Sequence, residues 1–386
     1  MKFVSVFFLF FLIICPFTGK SQSPSAFPAE ITFSYIPQPV MVSGQSRLLY
    51  ELRITNFGAK TIRIEKLDVT GEGTAQLATY KGEEMEKLLV AVGPTDSVGT
   101  VRMIGGGRSV IAFVDLTLKP GEQVPSAIHH LFSLSIAGKD GKIIEKPVKG
   151  PVVPVVQKPA LVLRAPLQGS GWIAFNGFLE ADHRRSFMTI DGKMRIAQPF
   201  AIDWARIGKD GLLFHGDSKS KSNSNFYSYG AKVVAVANGR ICDLKDGLPD
   251  NPGSNERTDR VVTLDNITGN YVTIDLGQGR FAFYAHLQLG SLKVKLGDKV
   301  TAGQVLGLLG NSGNSDEPHL HFQIMDTNSP LCSEGIPYVL ENYTQLGQMT
   351  GPDTLDKGEP WMPTSKDKPI IHQRDFPVNS AVVSFP

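Results

Sequence analysis

Two histidines separated by one residue, His319 and His321, lie in the apolar segment Pro318-His319-Leu320-His321-Phe322-Gln323-Ile324. If this segment is a β-strand, side chains alternate and the rise is about 3.3 Å per residue, so both imidazoles project from one face about 6–7 Å apart. That spacing suits one metal ligand with a second imidazole beside it. The alternative is a half-exposed strand whose histidines have no function, because histidine is common at semi-buried positions.

Several distinctive segments precede this pair in a fixed order. They are Phe200-Ala201-Ile202-Asp203-Trp204, the stretch 229–240, Phe283-Tyr284-Ala285-His286-Leu287, the stretch 297–307 with its Gly-Asp-Lys-Val start, and Gly310-Asn311-Ser312-Gly313-Asn314-Ser315. With these segments in this order, residues 195–325 strongly resemble the lysostaphin/LytM-type peptidoglycan zinc metallopeptidases. The resemblance, and not the composition, supplies this family identification.

The resemblance implies a compact antiparallel β fold whose groove holds one zinc ion. Matched position by position, Asp203 and His321 are its zinc ligands, and His286 and His319 are the imidazoles beside the metal-bound water. A catalytic zinc needs such an open arrangement, in which protein ligands leave one position for water.

One position departs from the family pattern. The family places its first zinc histidine four residues before the aspartate, in His-x-Gly-x-Asp, and this chain has Pro199 there. Proline cannot ligate zinc, so either another residue supplies the third ligand or the metal site is damaged.

His183 is the first candidate for the missing ligand. It precedes the turn Asp191-Gly192, and a hairpin with a three-residue loop would pair Ile190 with Met194 and bring His183 opposite Ala201, on the face of Asp203. A two-residue loop would instead turn His183 to the other face. His215, in a polar loop twelve residues after Asp203, is the alternative ligand, although its position favours a solvated loop residue.

The elements that position these residues are predicted to be all-β. Residues 28–147 carry short β-branched or alternating runs separated by Gly, Pro and Asn turns, with no long stretch of helical period, which favours an immunoglobulin-like β-sandwich. Residues 148–170 are proline-rich and predict a stiff linker. Residues 171–343 form the antiparallel metallopeptidase domain, and the polar, proline-bearing residues 344–386 are expected to be an irregular tail.

The whole-chain composition limits the class of partner and the location. Lys and Arg total 39 against 37 Asp and Glu, so the net charge of +2 gives no reason to expect a nucleic-acid partner. Residues 1–22, with Lys2 followed by a short apolar run, predict a secretory signal peptide, with an uncleaved anchor as the alternative. Contact with a membrane is then expected only through that segment.

Secretion would place the mature protein in the periplasm, the cell envelope or the extracellular space. It would permit a disulfide between Cys242 and Cys332, and the sequence leaves open whether one forms. It also leaves the oligomeric state open.

Two functions of different classes follow from these residues. The first is a zinc-dependent endopeptidase that hydrolyses peptide bonds of peptidoglycan, with peptidoglycan peptides as substrate and Zn²⁺ as cofactor. The second is a non-catalytic relative that binds an envelope partner through a degenerate metal site, which the loss of histidine at Pro199 favours. The presence of Asp203, His286, His319 and His321 together favours the enzyme.

Overall fold

A computed structural model describes residues 26–73, 76–93, 100–179, 181–216, 222–253, 261–349, 355, 358–364 and 367–386. The expected signal peptide, residues 1–22, lies outside these ranges. Within them, no helix has the length and apolar character needed to cross a membrane. The chain is all-β apart from a few short helical turns.

The N-terminal domain consists of two antiparallel sheets. Its elements are β1 (Ala29–Phe33), β2 (Val40–Val42), β3 (Gln45–Asn56), β4 (Ile62–Gly71), β5 (Gln76–Lys81), α1 (Gly82–Leu88), β6 (Leu89–Val92), β7 (Met103–Ile104), β8 (Ser109–Thr117), β9 (Ala127–Ala137), β10 (Ile143–Lys149) and β11 (Val153–Pro154). One sheet has the order β1-β3-β8-β6, with β2 on β3, and the other has the order β10-β9-β4-β5, with β11 on β9 and β7 on β4. The two-sheet arrangement agrees with the predicted sandwich, and the immunoglobulin-like topology stays a prediction.

The core between these sheets explains the sequence pattern of the strands. In β8, Val110, Ala112 and Val114 belong to the core of the N-terminal domain, whereas Ile111 and Phe113 on the opposite face pack against Ile196 of the C-terminal domain. The strand reads as a continuous apolar run because it is covered on both faces. The contact also joins the two domains.

The C-terminal domain is built on an eleven-stranded sheet. Its elements are β12 (Leu161–Leu163), β13 (Gly169–Phe175), α2 (Ala181–Arg184), β14 (Met188–Ile190), β15 (Lys193–Arg195), β16 (Ile202–Arg206), a 3₁₀ turn (Asn223–Asn225), β17 (Lys232–Val234), β18 (Gly239–Lys245), β19 (Asn270–Gly277), β20 (Arg280–Leu287), β21 (Lys299–Val300), β22 (Val305–Leu308), β23 (Leu320–Met325), β24 (Tyr338–Gln348), β25 (Ile370–Asp375) and β26 (Ala381–Phe385). The order of the large sheet is β12-β24-β26-β13-β16-β23-β20-β19-β18-β21, with β25 on β24. Strands β14 and β15 form a separate hairpin, and β17 pairs with β22.

The expectation of an irregular tail over residues 344–386 is wrong. Strand β24 continues to Gln348, and β26 lies inside the sheet, between β24 and β13. Phe376, just after β25, is fully buried. The error arose because β26 is a short apolar run after a polar, proline-bearing stretch, and its partners are distant in sequence.

The segment predicted as a linker, residues 148–170, is packed against both domains. Val153 and Val155 are buried in the core of the N-terminal domain, and Leu163 and Leu167 are buried in that of the C-terminal domain. The connection therefore contributes β11 to the β9-containing sheet of the N-terminal domain and β12 to the large sheet of the C-terminal domain.

Candidate metal centre

Three neighbouring strands carry the central residues of the site. Asp203 of β16 is directly opposite His321 of β23, and His321 is opposite Ala285 of β20, the residue before His286. Directly opposed residues project from the same face of a sheet. The alternate residues of β16 and β23, such as Trp204 and Phe322, are buried in the core on the other face. Alternation thus places apolar side chains inside and the polar pair in the groove.

His321 is oriented by hydrogen bonds on both ring nitrogens. Its Nδ1 lies 2.8 Å from Oδ1 of Asp203, and its Nε2 lies 2.8 Å from Oε1 of Gln323, whose Nε2 in turn donates to the Pro330 carbonyl at 3.4 Å. An amide oxygen only accepts hydrogen bonds, so Nε2 of His321 carries the proton. In a neutral imidazole, Nδ1 then presents a lone pair toward the Asp203 carboxylate.

His183 joins this pair from outside the sheet. Its Nε2 lies 3.3 Å from Oδ2 of Asp203, and its Nδ1 lies 3.4 Å from the Ala201 carbonyl oxygen. The sequence prediction brought it to this face through a strand and a three-residue hairpin loop, and that route is wrong. The loop has two residues, with Ile190 paired to Lys193, and His183 lies on the short helix α2 rather than in a strand. Side chains of a helix do not alternate between two faces as those of a strand do, so His183 reaches Asp203 even though the hairpin loop is shorter.

His286 and His319 lie side by side next to this group. Their ring centroids are 4.8 Å apart, and Nε2 of His319 is 3.6 Å from Oδ1 of Asp203. Nδ1 of His286 donates to the Ser312 carbonyl at 2.8 Å, and Nδ1 of His319 donates to the Glu317 carbonyl at 2.8 Å. Each ring therefore keeps Nε2 as its basic nitrogen.

The backbone of His286 is unusual. Its φ is +62°, in the left-handed region that residues other than glycine rarely adopt. Its amide donates to the Thr268 carbonyl at 3.2 Å, and its own carbonyl accepts from Gly310 at 3.0 Å. Such conformations persist only where the surrounding structure holds them, and they cluster at functional sites.

Electrostatics favour an ionised Asp203 beside a neutral His286. Burial opposes ionisation of Asp203, yet the nearby His183 and His319, together with a hydrogen bond from His183, hold its pKa well below 3.8. Burial, reinforced by the neighbouring charges of His319 and His321, lowers the pKa of His286 well below 6.5. His286 is therefore a neutral base at physiological pH.

The residues present fit a divalent metal ion. The ligand atoms of His183, Asp203 and His321 all lie within 4.8 Å of one another, and all three residues are buried. Tetrahedral zinc, with bonds of about 2.0–2.2 Å, needs ligand atoms about 3.3 Å apart. Nδ1 of His321 lies 2.8 Å from Oδ1 of Asp203, and Nε2 of His183 lies 3.3 Å from Oδ2 of Asp203, so these ligand atoms are already near that separation.

These residues line a single groove of about 830 Å³. Its wall includes charged side chains such as Arg195 and Asp182. It also includes all five residues of the site, which are His183, Asp203, His286, His319 and His321. No described residue of the N-terminal domain lines it. The groove is large enough for several residues of an extended peptide and is not covered by the described part of the sandwich.

The alternative ligand His215 is not part of the cluster. It is exposed, and its ring packs against Tyr227 at a centroid distance of 5.6 Å. Asn176 is a partner that the sequence analysis missed, because its Nδ2 donates to Oδ2 of Asp203 at 2.9 Å. The only signal for it was its position before Gly177, just after β13.

Cys242 and Cys332 are both free thiols.

Comparison with known proteins agrees with this geometry. Residues 224–332 match the sequence model of peptidase family M23, and the chain contains a peptidase M23 domain. The matched range includes His286, His319 and His321 and begins after Asp203.

Three curated relatives are similar over short stretches. Peptidoglycan DD-endopeptidase ShyA of Vibrio cholerae is 34% identical over 122 residues, which are 30% of this chain and 27% of that protein. Glycyl-glycine endopeptidase ALE-1 of Staphylococcus capitis is 34% identical over 104 residues, 27% of this chain and 24% of its own. Endolysin 2638A of Staphylococcus phage 2638A is 39% identical over 77 residues, 18% of this chain and 16% of its own. The chain thus spans at most about a quarter of the length of these relatives.

Proposed function

We propose that this protein is a secreted zinc-dependent endopeptidase that hydrolyses peptide bonds of peptidoglycan. The observation that carries the proposal is the buried group of His183, Asp203 and His321, with His286 and His319 beside it, in one open groove. The curated relatives named as a peptidoglycan DD-endopeptidase and a glycyl-glycine endopeptidase support the substrate class. They also support action in the cell envelope or outside the cell, where the expected signal peptide would direct the chain.

His183, Asp203 and His321 would hold the zinc ion, and three protein ligands leave the fourth position that a catalytic site needs. A zinc ion bound there would lower the pKa of its water toward about 7 and polarise the peptide carbonyl. Gln323 fixes the His321 tautomer that presents Nδ1 to the ion. In this arrangement His183 takes the role that the family gives to a histidine at the position of Pro199.

His286 and His319 supply the proton transfers. Their Nε2 atoms are free of the carbonyl groups that bind Nδ1, and His286 is neutral, so it is able to accept the proton of the attacking water. An imidazolium at the same place then stabilises the developing oxyanion and donates a proton to the leaving amine. Both rings are held by backbone carbonyls, which fixes their orientation before substrate binds.

The second function, a non-catalytic envelope-binding protein, is favoured by one observation, the proline at position 199. Against it stands the short distance from Nε2 of His183 to Asp203, which provides a third ligand from another element. The two functions differ in whether peptide bonds are cut.

Digestion of purified, cross-linked muropeptides separates the two functions. We expect the zinc-loaded wild-type protein to release new amino groups, and the His183→Ala variant to lose this activity. His215→Ala is the matched control, since His215 is an exposed histidine outside the cluster, and it should retain activity. Zinc-loaded wild-type protein that binds muropeptides without cleaving them would establish the binding protein instead.

A further inference from the structure

We propose that the N-terminal domain positions the third metal ligand through the ion pair between Glu51 and Arg184, so that zinc affinity depends on a residue of the sandwich. This inference depends on the proposed role of His183 as a ligand. It concerns Glu51 as a positioning residue, because Glu51 acts through Arg184 and does not line the groove.

The ion pair is buried in the interface between the domains. Nη1 of Arg184 binds Oε1 of Glu51, and the two side chains are only 4% and 8% exposed. Nη2 of Arg184 also donates to the carbonyl oxygens of Tyr50 and Val114, each at 3.4 Å. The guanidinium lies over the ring of Phe113, 5.0 Å from its centroid. All four partners belong to β3 and β8 of the sandwich.

Arg184 is also the direct neighbour of His183 on helix α2. A helix of four residues, Ala181–Arg184, has too few internal hydrogen bonds to be stable alone, so its position is set by its contacts. Adjacent helical side chains point in different directions, and here His183 reaches Asp203 while Arg184 reaches Glu51. The helix therefore bridges the metal centre and the N-terminal domain.

The remaining contacts of this segment do not replace the ion pair. Toward the C-terminal domain, Oγ of Ser186 donates to Oε1 of Gln198 at 3.0 Å. Toward the N-terminal domain, Arg185 donates to the Lys87 carbonyl, but this hydrogen bond is exposed to solvent and Arg185 is only half-buried. Arg184 makes the only described buried ion pair between the two domains within this segment. A guanidinium left buried without its carboxylate is strongly unfavourable, so loss of Glu51 should displace Arg184 and, with it, the backbone of His183.

This coupling explains how the site tolerates Pro199. Pro199 lies in a turn three residues before β16. The histidine that replaces it as a ligand lies on a four-residue helix, and such a helix needs an external anchor. Groups that orient metal ligands typically change metal affinity on the order of 10- to 100-fold when they are removed.

The test is a zinc titration of the full-length mature protein against a competing chelator. We expect Glu51→Gln to bind zinc on the order of 10- to 100-fold more weakly than wild type. Glu86→Gln, which removes the Glu86 partner of Arg102 at 3.0 Å within the N-terminal domain, is the control and should bind as wild type does. Equal affinity for Glu51→Gln and Glu86→Gln would overturn the proposal.

Cobalt substitution keeps the test independent of stability. With Co²⁺ as the probe, the visible spectrum of folded Glu51→Gln should move toward that of His183→Ala. If the substitution only destabilises the protein, the folded fraction will keep the wild-type spectrum, and that result would refute the coupling. If Glu51→Gln does not fold, Arg184→Lys is used in its place. This variant keeps the positive charge but loses the guanidinium hydrogen bonds and the contact with the Phe113 ring, and the same spectral change is expected. Wild-type protein that binds no zinc would instead refute the proposed function itself.

Discussion

Asp203 and His321 face each other across two adjacent strands, and Oδ1 of Asp203 lies 2.8 Å from Nδ1 of His321 although 118 residues separate them in sequence. Nε2 of His321 is bound by Gln323, so the two atoms that meet are a carboxylate oxygen and a nitrogen with a lone pair. Two such atoms repel unless a cation or a proton lies between them. This relationship is the basis of the proposed metal centre, and the predictions below follow from it.

Replacing Gln323 by leucine should weaken metal binding without removing a ligand. The ring of His321 would lose the acceptor that fixes its tautomer, and we expect zinc affinity to fall on the order of 10- to 100-fold. Chelator competition measures this change. Gln348→Ala, at an exposed position of β24, is the control. An unchanged affinity in Gln323→Leu would show that the tautomer is fixed by other contacts.

Substitution of either imidazole beside the ligands should separate catalysis from metal binding. We expect His286→Ala and His319→Ala to keep their zinc, while the rate of muropeptide cleavage falls by on the order of 10²- to 10⁴-fold through loss of proton transfer. Metal analysis of these preparations measures the zinc content, and single-turnover digestion measures the cleavage rate. Loss of zinc in these variants would mean that His286 and His319 are metal ligands.

The stability of the N-terminal domain should decrease on acidification because of His130. Its Nδ1 donates to the Pro151 carbonyl at 2.8 Å, its Nε2 accepts from the Tyr50 hydroxyl at 2.8 Å, and burial lowers its pKa to about 4. The folded state thus binds this proton less readily than the unfolded state, whose pKa is about 6.5. The neutral His130 therefore stabilises the folded state fully above about pH 6.5. This stabilisation is lost as the pH falls toward 4, which lowers the free energy of unfolding by on the order of 2–3 kcal/mol.

Denaturant unfolding of wild type and His130→Gln between pH 7.5 and 4 measures this contribution. The variant cannot titrate at this position, so its free energy of unfolding should fall less over that range. Parallel curves for the two proteins would contradict the assignment.

The C-terminal strands should be essential to the fold. Phe376 is fully buried and contacts the rings of Phe178, Phe200 and Tyr338, so Phe376→Ala should cost about 3–5 kcal/mol. Ile371→Ala is the matched control in the same segment, because Ile371 is 73% exposed and should be near neutral. Equal unfolding free energies for the two variants would indicate that this region is not part of the cooperative unit.

The sequence predicted the parts of the site that depend on local pattern. Alternation put His319 and His321 on one face, and the family resemblance added Asp203 and His286. His183 was identified through a wrong register, because a residue on a short helix is not bound by strand alternation. Asn176 and Arg184 could not be foreseen, since their partners are set by the packing of distant strands. Strand β26 was missed for the same reason.

The most direct test of the metal centre is the zinc content of purified protein, measured by mass spectrometry for wild type, Asp203→Ala, His183→Ala and His215→Ala. The proposed ligand set predicts about one zinc per chain in wild type and His215→Ala, and a strong loss in Asp203→Ala and His183→Ala. Full zinc content in His183→Ala, or none in wild type, would contradict it.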